Sequence, residues 1–345
     1  MKQLWKNHTV SLLLLLYLAL TPMFSNAFGV ELTGKFIVLM IFAIALDLVW
    51  GYAGLLSLGH AVFFGLGGYM LALSYSLQKG VPSFMARFQI TEIPLFMKPL
   101  TSIPMAFVLG LVLPSVIAFV IGYFIFKSKV SGVYFSLITL ALAKLFEMIA
   151  INNQAYTGGF NGLMGLPRFP IGGKPMELDS YYYLVLAIAV VVYLFAHWLM
   201  NSRFGKIVKS IRENEPRIAF LGYNVAHYKI FVFVISGFIS GLAGMLYVPM
   251  NGFFSPNEIG LALSTMIVVY VAIGGRGTII GPAIGAFLIN LLQNELSEQY
   301  PAFWQLLLGL IIVLVVLFFP KGIYGTLQEK LGAWLAQFRL RREGK

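Results

Sequence analysis

The sequence predicts an all-α fold: a polytopic transmembrane helical bundle of about ten segments, some broken or re-entrant at glycines. Three observations carry this. Of the 345 residues, 59% are hydrophobic and 11% charged, whereas soluble domains average about 45–50% and about 25%; too few charges exist to cover a soluble surface. The apolar residues fall in continuous runs rather than alternating ones, and in a bilayer only helices and closed barrels satisfy their own backbone hydrogen bonds. The excess of 24 Lys and Arg over 13 Asp and Glu gives a net charge of +11. These basic residues lie between and beyond the apolar runs, which is the pattern of positive-inside topology rather than of a nucleic-acid surface. With no Cys and only four His, disulfides, thiol catalysis and cysteine-type zinc sites are excluded. No metal or cofactor is expected in this chain.

A spanning helix needs about 20 apolar residues. The candidate runs are 10–24, 36–50, 55–77, 104–126, 133–151, 181–200, 228–248, 259–273, 279–292 and 304–319. The first follows Lys2 and Lys6 and precedes Ser25-Asn26-Ala27, so it reads either as a retained first helix or as a secretory signal with a small-residue cleavage site. Residues 79–101 form a polar, Pro-bearing external insertion with room for a short surface helix, and 152–180 form a second external loop rich in Gly and Pro. The eighth and ninth runs are short, as half-helices lining a cavity would be. No connecting segment is long enough for a soluble domain, so residues 1–345 read as a single membrane-spanning domain. Counting ten crossings places Lys2 and Lys6, Lys127 and Lys129, the basic loop 201–227, and Arg339, Arg341 and Arg342 on one side. That side is expected to be cytoplasmic, with both termini on it. Glu177, Asp179, the turn Ser255-Pro256-Asn257-Glu258, Glu295 and Glu298 fall on the other.

Four stretches offer chemistry. The first runs from Gly51 through Gly54, Ser57, Gly59 and His60 to Gly65, Gly67 and Gly68. Glycine permits close helix approach and helix breaks, so Ser57 and His60 either line a translocation path or simply pack, with Ser57 bonded to a backbone carbonyl. A second Gly-rich stretch, Gly274-Gly275-Arg276-Gly277-Thr278 with Gly281-Pro282 and Gly285, echoes the first and suggests an internal repeat. The loop 157–167 carries Asn161 among glycines and suits either a polar solute or an ordinary turn. Ionisable residues inside apolar runs are Asp47, Lys144 and Glu147. Lys144 and Glu147 are three apart and are expected to pair, with a proton relay as the alternative. Asp47 is expected to be solvated or to cap a helix near the inner end of its run.

The most informative stretch is Ser202-Arg203-Phe204-Gly205, Ile211-Arg212-Glu213-Asn214-Glu215 and Leu221-Gly222-Tyr223-Asn224-Val225. On composition alone it is a basic amphipathic helix suited to an anionic membrane surface. Its wording resembles the cytoplasmic coupling loop in permease subunits of ATP-binding-cassette (ABC) importers, in the branched-chain amino-acid and urea permease family. The glycine stretch with Ser57-Leu58-Gly59-His60, the run around Tyr134, Phe135, Thr139 and Ala141, the loop 157–167 and the stretch 274–286 resemble further family signatures in family order. Within the family, Gly244-Met245-Leu246-Tyr247-Val248-Pro249, Phe318-Phe319-Pro320-Lys321-Gly322 and the 79–101 insertion resemble the longer urea-type permease. The loop Thr157-Gly158-Gly159-Phe160-Asn161-Gly162-Leu163 resembles the amino-acid permeases instead.

The resemblance implies an importer permease of the bacterial inner membrane, for urea or a short amide, with a branched-chain or other amino acid as the alternative solute. Its implied partners are a second permease subunit in a heterodimer, two cytosolic ATPase subunits and a periplasmic solute-binding protein. ATP would be bound by the ATPase subunits, since the chain contains no Gly-x-x-x-x-Gly-Lys-Ser/Thr phosphate loop. Residues 211–222 would act as a rigid lever, with Arg212, Glu213, Glu215, Arg217 and Gly222 coupling to the ATPase. Ser57, His60, Thr139 and Asn161 would line the path. A stand-alone channel or secondary transporter is the competing class, motivated by Lys144 and Glu147. A membrane enzyme would need a nucleophile–base constellation, which is not visible.

Overall fold

The computed structural model describes residues 2–130, 132–171, 174–319 and 322–326. Arg339, Arg341, Arg342, Pro320 and Lys321 therefore lie outside the described residues. Fourteen α-helices follow one another up to residue 318: α1 Lys2–Phe24, α2 Ala27–Asp47, α3 Ala61–Leu77, α4 Ser83–Ala86, α5 Ile103–Lys127, α6 Val133–Asn152, α7 Gln154–Thr157, α8 Leu178–Asn201, α9 Arg203–Glu213, α10 Glu215–Phe220, α11 Val225–Asn251, α12 Leu261–Gly274, α13 Ile280–Gln299 and α14 Trp304–Phe318; residues 322–326 are also helical. Five stretches are long and apolar enough to cross a membrane, and four shorter apolar helices accompany them. The only strands among the described residues are two-residue pieces, one ladder joining Leu163–Met164 to Phe253–Phe254 and another joining Pro170–Ile171 to Lys174–Pro175.

The bundle is organised around α2, which is buried along most of its length. It starts at Ala27, well before the expected residue 36, because Asn26 accepts from the Gly29 N–H at 2.8 Å and Glu31 pairs with Lys35 at 2.9 Å. An i,i+4 ion pair of this kind lets two charges enter an otherwise apolar helix. At its other end the helix widens into a π-turn, Leu48–Tyr52. The expected run 55–77 is not helical before Ala61. The chain from Ala53 to His60 is a break, and Gly54, at φ +75°, supplies the left-handed backbone that the reversal requires.

Helices α3, α5 and α11 pack face to face through glycines. A Cβ on Gly67 would stand 2.6 Å from the Gly241 Cα, and one on Gly244 would stand 2.7 Å from the Phe64 carbonyl carbon. Such contacts bring backbones together where apolar side chains gain nothing over lipid. Gly67→Val is therefore expected to destabilise the bundle by about 1–3 kcal/mol, read as a lower unfolding temperature in detergent. Gly309→Val is the control, since nothing lies within 4 Å of a Cβ there.

The first helix is tied into the bundle. Tyr182 donates its hydroxyl to the Leu18 carbonyl at 2.6 Å, and Tyr183 donates to that of Ala19 at 3.1 Å. Helix α12 has 14 residues, about 21 Å at 1.5 Å per residue, and falls short of a hydrocarbon core of about 30 Å. Helix α13, expected to end at residue 292, runs on to Gln299. The 79–101 insertion holds α4 and a 3₁₀ turn, Leu95–Thr101.

Candidate translocation and coupling site

The break is held against α6 by its own backbone. Leu58 N–H donates to Thr139 Oγ1 at 3.0 Å, Thr139 donates to the Ser136 carbonyl at 2.9 Å, and Ser136 donates to the Leu56 carbonyl at 2.7 Å. A Cβ on Gly59 would stand 2.7 Å from the Thr139 carbonyl carbon, so only glycine fits there. Ala61 N–H, at the start of α3, donates to Ser264 Oγ at 3.1 Å.

His60 is fully buried. Its ring stacks on Phe42 at 5.9 Å and meets the edge of Phe63 at 5.3 Å. Its Nε2 lies 2.7 Å from Ser236 Oγ, and that hydroxyl donates its proton to the Ala45 carbonyl. Ser236 has one proton to give, so Nε2 carries the hydrogen and donates to Ser236. The lone pair on Nδ1 is then left free, and neither His60 Nδ1 nor Ser57 Oγ has a partner. Packing with Ser57 bonded to a carbonyl, one of the two readings of the sequence, is thus not what the structure has. Two neutral polar atoms stand unpaired in the same break, where burial without a partner is costly.

A second Gly-rich turn folds onto this break. Asp47, fully buried at the end of α2, accepts from Gly277 N–H at 2.6 Å and from Ile279 N–H at 3.1 Å. It caps the turn that leads into α13, and the solvated alternative is corrected: the π-turn and the 274–279 segment close over the carboxylate. The two glycine stretches that echo each other in sequence are in contact in space. A Cβ on Gly51 would collide with Gly277 N and stand 2.7 Å from Asp47 Cγ.

The basic loop docks beside these turns. Ser202 caps α9, whose Val208 and Ile211 are buried. Arg212 donates from Nη1 to the Gly51 carbonyl, and its Cγ occupies the space that a Cβ on Gly54 would need, 2.7 Å away. Lys209 lies over the Tyr52 ring at 5.0 Å; partial burial, then Arg212 and Lys206, hold its ammonium below the usual lysine range. The rigid lever expected over 211–222 is two helices instead. It breaks at Asn214, whose side chain caps α10 by accepting from Arg217 N–H at 3.0 Å. Glu215 pairs with the buried Lys229 at 2.6 Å. Arg212 and Glu215 are thus engaged within the chain, and Glu213 stands 4.0 Å from Arg212 on the exposed side, while Arg217 and Gly222 are exposed with Phe220 and Leu221.

Sequence comparison places this broken, Gly-packed bundle in a family. The profile of the branched-chain amino acid transport system permease component family covers residues 29–316. The chain belongs to this family.

The permease is 26% identical to the high-affinity branched-chain amino acid transport system permease protein LivM of Escherichia coli K12, over 93% of this chain and 76% of that one. The LivM protein of Salmonella typhimurium is also 26% identical, over 90% and 73%. The ribose import permease protein RbsC of Haemophilus influenzae is 25% identical over 72% and 73%. No solved structure matches. The protein is a multi-pass membrane permease of the ABC importer class and not itself an enzyme.

Of the four path residues read from the sequence, the permease brings three to one place: Ser57, His60 and Thr139 meet at the break. Asn161 does not join them. It sits in an exposed turn beyond the far end of α6, and lines a separate cleft of about 700 Å³ with Lys79, Arg87 and Arg168. Lys144 and Glu147 form the expected pair at 3.3 Å.

Sequence reasoning missed Ser236 and Ser264, single hydroxyls inside apolar helices that gave no pattern. It also gave no sign that the 255–258 turn is packed into the bundle. Ser255 and Pro256 are buried, because Glu258 Oε2 accepts from Ser255 N–H at 2.9 Å and Oγ at 2.7 Å in a capping box. That Ser-x-x-Glu spacing was the available signal.

Proposed function

We propose that this permease carries urea or a short amide into the cell through the break at Ser57 and His60. In this reading two ATPase subunits grip the α9–α10 end on the cytoplasmic side, a binding protein delivers solute to the opposite face, and a second permease completes the path. One observation carries the reading: Arg212 of the exposed helix pair is hydrogen-bonded to Gly51 in the π-turn and packs on Gly54, at the start of the segment that bears the unpaired polar atoms. Movement of that pair is then movement of the break. The unpaired atoms are both neutral, and Asp47, the carboxylate at the end of α2, is already engaged by two N–H groups. A neutral solute with one acceptor and four N–H donors needs no counter-charge there. A branched-chain amino acid is the second reading, favoured by the LivM relatives.

The test is uptake of labelled urea and labelled leucine by the complete system. Inactivating the phosphate loop of the ATPase should stop uptake of the transported solute with ion gradients intact; continued uptake refutes the ABC reading. Affinity of the binding protein for the two solutes decides between them. The α10 tip gives a second prediction. Phe220 is 92% exposed and Leu221 66%, and exposed apolar residues at a helix tip suit a partner groove. Phe220→Ser with Leu221→Ser should cut ATPase co-purification by about tenfold without lowering the unfolding temperature of the permease.

A further inference from the structure

Halfway along α2 a second polar site opens. Leu39, the midpoint of the stretch Ala27–Tyr52, walls a crevice of about 260 Å³ between α2, α3, α11, α12 and α13. Neither the break residues nor the outer cleft share its lining. Phe64 closes one side, while Tyr247, Glu258, Tyr270, Asn290 and Gln293 supply the polar side. A carboxylate at this depth is expensive unless it is used. Both hydrogen bonds to Glu258 fall on Oε2, which leaves Oε1 to accept. Tyr270 donates to Asn290 Oδ1 at 3.1 Å, and Asn290 donates to the Ala286 carbonyl at 2.7 Å. These bonds fix both side chains and turn the Tyr270 oxygen into an acceptor. Among the described residues no Lys or Arg lines the crevice or pairs with Glu258.

We infer that this crevice is a solute site that binds the N–H-bearing end of a small nitrogenous molecule, an amide or an ammonium, against Glu258 and the Tyr270 hydroxyl. The site rests on the importer reading and adds a mid-membrane station to it. The carboxylate takes N–H donors in charge-assisted bonds, the Gln293 carboxamide offers a donor for a carbonyl, and Phe64 and Leu39 pack against the remainder. Urea and an amino acid share this chemistry, so both are used as probes.

The competing account is that Glu258 only caps the turn. Glutamine also serves in the capping box, so Glu258→Gln keeps the cap and removes the charge. The complete importer, reconstituted in vesicles, is assayed for uptake of labelled urea and labelled leucine and for ATP hydrolysis stimulated by the loaded binding protein. For whichever solute the native complex carries, Glu258→Gln should lower uptake about tenfold and leave stimulated ATP hydrolysis within about twofold. Tyr270→Phe should show the same selective loss to a smaller degree. Uptake at the native rate in Glu258→Gln overturns the site. A parallel fall in uptake and hydrolysis overturns it as well, because it marks a structural role. Uptake by the native complex without ATP would defeat the importer reading instead, and the ratio of variant to native uptake would still judge the crevice.

Discussion

Asp47→Ala should destabilise the permease by about 2–5 kcal/mol, about 1–3 for each buried N–H left without an acceptor, the largest loss expected from any single side chain. The carboxylate bridges elements far apart in the chain. It accepts from Gly277 and Ile279 at the entry to α13 and faces the Arg212 guanidinium that binds Gly51. Alanine leaves two buried N–H groups without acceptors, while Arg212 keeps Glu213 at 4.0 Å. Ile279 also sits at φ +61°, a strained conformation for a β-branched residue, and nothing would then hold it there. Asp47→Asn keeps one acceptor oxygen but turns an N–H₂ toward the other donor, so about half of the loss should remain. Thermal unfolding in detergent measures both. An unfolding temperature unchanged in Asp47→Ala would show that the two glycine turns do not depend on this bridge.

Arg212→Ala should uncouple transport from ATP hydrolysis. Its guanidinium bonds α9 to the π-turn that opens the break, and alanine removes the side chain that packs on Gly54. The expected result is an assembled complex whose stimulated ATP hydrolysis persists while uptake falls at least about tenfold, in line with the loss of one charge-assisted hydrogen bond. Arg212→Lys should restore only part of it, because an ammonium lacks the fork that reaches a carbonyl while packing on Gly54. The diagnostic quantity is solute moved per ATP hydrolysed. If the ATPase subunits instead fail to co-purify with Arg212→Ala, the side chain meets the motor directly, as the sequence suggests for Arg212, Glu213 and Glu215.

How far the sequence could be read depends on whether the signal is local. Apolar runs and the Lys144/Glu147 pair lie within one helix, and they stand where hydropathy and i,i+3 spacing put them. Helix ends are less local. Glu31 and Lys35 lower the apolarity of the first turns of α2 and so hide its true start, while their pairing cancels the cost. The break before His60 reads as helix because its residues are apolar enough, yet Leu58 N–H and the Leu56 carbonyl are bonded to α6. Asp47 lies at a helix end, where solvent is the natural expectation; its burial follows from a segment some 230 residues away folding over it. Glu258 sits in a Pro-bearing turn between two helices, and Gly65 and Gly68 of α3 leave the room into which Ile259 and Phe254 on either side of that turn pack.

By itself the sequence determined that this is a helical membrane permease of an importer family, because charge content, run length and the coupling-loop wording survive without knowledge of neighbours. The tertiary structure decided which polar atoms are left unpaired at Ser57 and His60, that Arg212 serves the break rather than standing free, and that Glu258 faces a crevice. Those outcomes depend on the rotation and contact of helices separated by 160 residues or more. Hydropathy specifies that such helices are buried in lipid or in each other, and says nothing of which face meets which.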